Sequence, residues 1–190
     1  MRQNVDNTIL WNEAAKAGFF FGAVSVGCLL LKEFAMASGH AFLVQAAAIL
    51  LWALEFFACI LLMKKIMLDL RDKYDEVRME HTRRLGKRAA LLSGLLLASA
   101  QALLIMQLPA DTLNEWIDTF AGGMQLGAAE REQLDALLPR LPVYTFFFQW
   151  FYCYLYGSVL ASFMSRYIFL QKLFKEFTPP QDGPEHPDEQ

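Results

Sequence analysis

Four long stretches of this chain are almost free of charge, and they decide what it can fold into. Ala17–Leu31, Ala41–Met63, Ala89–Ala110 and Leu141–Ser165 run to 15, 23, 22 and 25 residues, and Glu55 is the one charged residue among them. A helix rises about 1.5 Å per residue and a bilayer core is roughly 30 Å thick, so about 20 apolar residues are needed to cross it. The chain therefore reads as an all-α, polytopic membrane protein: a four-transmembrane-helix bundle with spans near 14–31, 41–63, 89–109 and 142–165. A soluble helical bundle is the competing fold, and charge argues against it. Only 19% of residues are charged and 55% are hydrophobic, against about 25% charged in soluble domains. A soluble core helix needs a polar face with charges every three or four positions, and neither Ala89–Ala110 nor Leu141–Ser165 has one.

Basic residues orient the chain. Lys64–Arg88 holds Lys64, Lys65, Arg71, Lys73, Arg78, Arg83, Arg84, Lys87 and Arg88, while Pro109–Arg140 holds only Arg131 and Arg140 against six acids. Arg2 and Lys16 precede the first span, Lys32 follows it, and Arg166, Lys172 and Lys175 follow the last. Basic loops stay in the cytoplasm. Both termini and loop 64–88 are thus expected inside, with 14 of the 17 basic residues, and loop 110–141 outside. The first span is short, but Lys16 and Lys32 can snorkel and lengthen it. Ala35-Met36-Ala37 has the form of a signal-cleavage site, yet Lys32 and Glu33 intrude before it, so an uncleaved anchor is expected. Cys28, Cys59 and Cys153 lie in different spans without metal or disulfide spacing and read as small apolar residues.

The connections have their own patterns. Ile66, Leu70, Tyr74 and Val77 continue a helical face beyond Met63, with Arg71/Asp75, Asp69/Lys73 and Glu80/Arg84 as four-apart ion pairs, and a turn is expected near Gly86. The net charge of +4 over Lys64–Arg88 suits an anionic lipid surface, although such a patch is first of all a topogenic signal. In the outer loop, Leu113, Trp116, Ile117 and Phe120 share a face, Gly122-Gly123 and Gly127 interrupt, and Ala128–Leu138 predicts a second short helix. Two amphipathic helices lying on the outer surface are expected. Residues 178–190 hold four prolines, four acids and no basic residue, a composition that predicts disorder.

The order of "LRDKYDEV", "RLGKRAALLSG", "LPRLPVYTFF" and "YGSVLASFMSRY" resembles domain-of-unknown-function family 4199, small four-helix membrane proteins of Bacteroidota. The likeness covers roughly Trp11 to Lys175. It implies an inner-membrane protein of a Gram-negative bacterium and carries over no activity and no catalytic residue.

Small residues at four-residue spacing predict where helices meet: Gly18 and Gly22 in the first span, Gly94, Ala98 and Ala102 in the third, Gly157, Ala161 and Ser165 in the fourth. Contacts within the chain are the simpler reading, since a four-helix bundle needs several close interfaces.

Function is to be sought at Glu55, about 12 Å from the inner boundary at Met63. An isolated charge there costs a few kcal/mol, so the group should be neutral, paired or in a wet cavity. No lysine or arginine sits at its depth. Its candidate partners are Ser99 and Gln101 on the third span, and Tyr154, Tyr156 and Ser158 on the fourth. A proton or cation site and a hydrogen bond between helices account for it equally well. Catalysis has no support: His40, His81 and His186 lie outside the spans in no metal pattern, and no nucleophile elbow or paired acid occurs. No cofactor, metal or nucleic acid is expected. Three functions stay open: a non-enzymatic accessory or scaffold subunit working with a membrane protein partner, which leads; a small proton- or ion-linked transporter using Glu55; and a lipid-handling partner of a membrane glycosyltransferase. The chain shows no internal repeat and no broken span to favour transport.

Overall fold

In the computed structural model, residues 6–37, 41–74, 77–124 and 136–177 are described, with Gly127, Glu130 and Gln133 between them. The described residues are helical with no strand: α1 (Asn7–Ala37), α2 (Ala41–Lys73), α3 (Met79–Gln107), α4 (Ala110–Met124), a 3-10 turn (Leu138–Arg140) and α5 (Leu141–Phe177). Helix ends follow local chemistry. Asp6 precedes α1, its carboxylate accepting from the first helical amide, that of Asn7, at 2.6 Å. Leu108 is extended because Pro109 follows it, which stops α3 at Gln107. Pro142 sits in the first turn of α5, where its missing N–H is not needed.

Among the described residues, three helices are long and apolar enough to cross a membrane: Asn7–Ala35, Val44–Lys73 and Met79–Gln107. The chain therefore has the character of a membrane protein. Helix α5 is not among the three. Tyr144, Tyr152, Tyr154, Tyr156, Trp150 and Gln149 offset its phenylalanines and leucines in mean hydropathy, although Leu141–Ser165 carries no charge.

Helix α3 is the spine. On one side Gly18 and Gly22 of α1 meet it, and a Cβ at Gly18 would lie 2.7 Å from the Leu92 Cβ. On the other side Gly94 faces Cys153 and Trp150, Gly157 faces Ala90, and Gly86 faces Ala161. The small-residue rows thus serve contacts within the chain, between α1 and α3 and between α3 and α5. Descending α3 from Gly94 to Thr82 pairs it with Trp150 through Ser165, so α5 runs antiparallel to it. The Trp150 indole N–H donates to the Leu91 carbonyl at 3.1 Å, and the Thr82 and Ser165 hydroxyls meet at 2.7 Å, both buried.

The core lies toward the basic end. Ala17, Phe21, Met63, Met67, Ala89, Ala161 and Ile168 form one cluster, and Leu10, Ala14, Leu70 and Leu85 a second. Two expectations change here. The break in the helix falls between the end of α2 at Lys73 and the start of α3 at Met79, not near Gly86, which is buried in α3 where only a glycine admits Ala161. The amphipathic stretch after Met63 is accordingly two helix ends folded on each other, with Met67, Leu70, Thr82 and Leu85 buried. Helix α4 also runs through Gly122-Gly123 to Met124. The second outer helix expected over Ala128–Leu138 lies largely outside the described residues, as do the tail 178–190, His40 and His186.

Charge pairs gather at the same end. Glu80 and Arg84 approach to 3.5 Å as the four-residue spacing predicts. Lys73 instead leaves Asp69 for Glu13 on α1, at 2.7 Å, and Tyr74 donates to the same carboxylate at 3.3 Å. These groups lie beyond the uncharged stretches. Burial pushes the Glu13 carboxyl up, but the hydrogen bond and charge of Lys73, helped by Lys16 and Tyr74, outweigh it and hold the group below its ordinary 4.5. The Glu13 hydrogen bond holds Lys73 above its ordinary 10.5. A lowered acid stabilises the fold above its unfolded value, and that contribution is lost as pH falls through the folded one. A raised lysine contributes below its unfolded value, and that is lost as pH rises through the folded one. The pair should therefore support the fold fully between 4.5 and 10.5 and fade beyond each limit. Thermal midpoints in detergent across that range should show both limbs flattened in Glu13→Gln; identical pH profiles for wild type and variant would refute this role.

Candidate polar crevice around Glu55

Above the core, α2 leaves the bundle. Met63, Met67 and Leu70 hold its basic end, but its apolar stretch is far less buried than those of α1 and α3. Side-chain size differs between the helices: glycine and alanine line the contacts of α3, whereas α2 carries Trp52 and Phe56 at the edge of the gap. The gap is a partly open crevice of about 380 Å³.

Trp52, Glu55, Phe56, Cys59 and Met63 line it from α2, at the three- and four-residue spacing of one helical face. The α5 wall repeats that spacing through Gln149, Tyr152, Cys153, Tyr156 and Leu160. Ala90, Ser93, Gly94 and Leu97 of α3, with Gly157 of α5 and Phe21 and Ser25 of α1, complete it. Three rings form an edge: Trp52 stacks on Phe56 at 5.7 Å, and Phe56 lies 6.3 Å from Tyr156. Gln149 directs its amide N–H to the Cys153 sulfur at 3.5 Å. Among the described residues, Glu55 makes no hydrogen bond or ion pair.

The structure brings together some of the residues expected at this site. Glu55 and Tyr156 share the crevice, while Ser99 and Gln101 do not line it. The Ser99 hydroxyl donates to the Leu95 carbonyl of its own helix at 2.8 Å, a common fate of serine in an apolar helix. Tyr154 does not line it either, and the Ser158 hydroxyl is buried with no partner among the described residues. Gln149 and Tyr152 were missed, as were Cys59 and Cys153, read only as small apolar groups. The signal for them was the spacing of Gln149, Tyr152 and Tyr156 on one face of an otherwise apolar helix.

Chemically the crevice offers one acid, an amide, two phenols and hydroxyls among rings and aliphatic walls. Among the described residues no three of His, Cys, Asp and Glu come together as a metal site would require. A second hollow of about 530 Å³ lies between α1 and α2 at the basic end, where Lys16, Lys65 and Lys73 alternate with Glu13 and Asp69. No protein family, characterised protein or solved structure matches the chain.

Proposed function

We propose that the chain is a multi-pass protein of a bacterial inner membrane, crossing four times with both termini in the cytoplasm, and that it is a non-enzymatic accessory or scaffold subunit. The resemblance to family 4199 is part of the same proposal. The observation that carries the reading is the open face of α2. Ile49, Leu50, Leu54, Phe57 and Leu61 are each more than half exposed and follow one another at helical spacing, a stripe onto which a partner's membrane helix can pack. Lipid contact covers the rest of the apolar surface, and the lysines and arginines of residues 64–88 face anionic headgroups.

Photo-crosslinking side chains placed at Leu50, Leu54, Phe57 and Leu61 in native membranes test this. The same second protein should be captured along the stripe and not from Phe148 or Phe163 on α5. Lipid adducts alone from every position would reject the scaffold reading. The crevice favours a second function, a small proton- or ion-linked carrier using Glu55, because it gives that acid a polar, accessible setting. Flux through the purified protein in liposomes decides for or against it.

A further inference from the structure

We infer that the crevice between α2, α3 and α5 binds a hydrophobic organic monocation, with Glu55 as its counter-ion and the rings of Trp52, Phe56, Tyr152 and Tyr156 around its body. The inference rests on the second reading only in taking the crevice as a site; it requires neither transport nor a protein partner.

Size, surface and charge agree on this ligand. A hollow of about 380 Å³ falls within the roughly 300–1,000 Å³ of small-molecule sites. Its lining includes the rings of Trp52, Phe56, Tyr152 and Tyr156, and the negative quadrupole of an aromatic ring attracts cations. Glu55 is the only charged residue among the lining residues, and none of them is Lys, Arg or His. Its carboxylate has no partner among the described residues, so a cation entering the crevice meets a counter-charge that need not first be pulled from a lysine or arginine.

Other ligand classes fit less well. An anion would face Glu55 and the ring faces together. A neutral acyl chain would match the aliphatic walls but leave the Glu55 carboxylate without a counter-charge. A bare inorganic cation needs six or more oxygens in the case of calcium, and the crevice has one carboxylate. A cation that carries its charge inside an apolar shell needs only the single acid and the rings.

The test is equilibrium binding of radiolabelled tetraphenylphosphonium to the purified full-length protein in detergent, with tetraphenylborate as an anion of the same shape. The phosphonium should bind saturably at one site per chain and be displaced by unlabelled phosphonium, while the borate displaces it at least tenfold less well. Glu55→Gln should weaken phosphonium binding by about tenfold or more, and Trp52→Leu by roughly fivefold. Equal displacement by the borate, or uptake that never saturates, overturns the inference on wild-type protein alone, whatever the variants do. A well-folded Glu55→Gln that binds within twofold of wild type overturns it as well. Saturable, Glu55-dependent binding without proton-linked flux in liposomes would sink the carrier reading and leave this inference standing.

Discussion

Gly86→Leu is expected to separate α3 from α5 and to destabilise the chain by about 3 kcal/mol or more. A Cβ at this buried position would lie 2.5 Å from the Ala161 Cβ, 2.9 Å from the Met67 Cε and 3.0 Å from the Met63 sulfur. The methionine ends can swing aside, but the Ala161 Cβ is fixed to a helix backbone and cannot. Leucine adds three further carbons, so the helices must part. Parting them also stretches the Thr82–Ser165 contact of 2.7 Å one turn away, in a setting where close packing and hydrogen bonds drive association. Gly27→Leu is the control, because nothing lies within 4 Å of a Cβ there. Unfolding in mixed micelles should show a large loss for Gly86→Leu and almost none for Gly27→Leu. Equal losses would mean that the α3–α5 contact is not what holds the bundle.

The same glycine shows what can be read from the residues alone. Small side chains at four-residue spacing announced that Gly18, Gly22, Gly94 and Gly157 sit at helix contacts, because that spacing has one geometric meaning in an apolar helix. Gly86 was ambiguous, since a glycine in a polar segment serves equally for a turn or for close approach. Only the position of Ala161 on another helix resolves it. Lys73 is similar: Asp69 stands four residues before it, and nothing local reveals that Glu13, sixty residues away, comes closer. Glu55 stood out because an acid in an apolar stretch is costly. Of its neighbours Tyr156 was legible, but Gln149, Tyr152 and Cys153 were not, because they depend on the rotation of α5 about its own axis. An error of two residues in register exchanges Tyr154 for Tyr152.

Cysteines at Arg83, Asn114 and Arg166 are expected to answer an impermeant maleimide in an all-or-none pattern: Asn114→Cys labels in intact cells, while the other two label only after the membrane is opened. All three positions are exposed, and Cys28, Cys59 and Cys153 would first be replaced. Thr82, one residue from Arg83, is unsuitable because its side chain is buried against Ser165. The contrast between Arg83 and Asn114 tests whether α3 crosses with the basic end inside, as the distribution of lysine and arginine requires. Arg166 tests the harder point, whether α5 crosses as well. Mean hydropathy does not place it among the spanning helices, but packing argues that it crosses. Trp150 against Gly94, Gly157 against Ala90, Ala161 against Gly86 and Ser165 against Thr82 hold α5 alongside α3 in antiparallel order. Helices joined over Thr82–Gly94 share the depth of that half of α3, which is why α5 is expected to cross beside it. Tyrosine and tryptophan lower a hydropathy average without barring a helix from the bilayer, because their rings are largely apolar and settle at its interfaces. Labelling of Arg166→Cys together with Asn114→Cys in intact cells would leave three crossings and remove the four-helix bundle. Labelling of Arg83→Cys and Arg166→Cys in intact cells, with Asn114→Cys protected, would reverse the orientation.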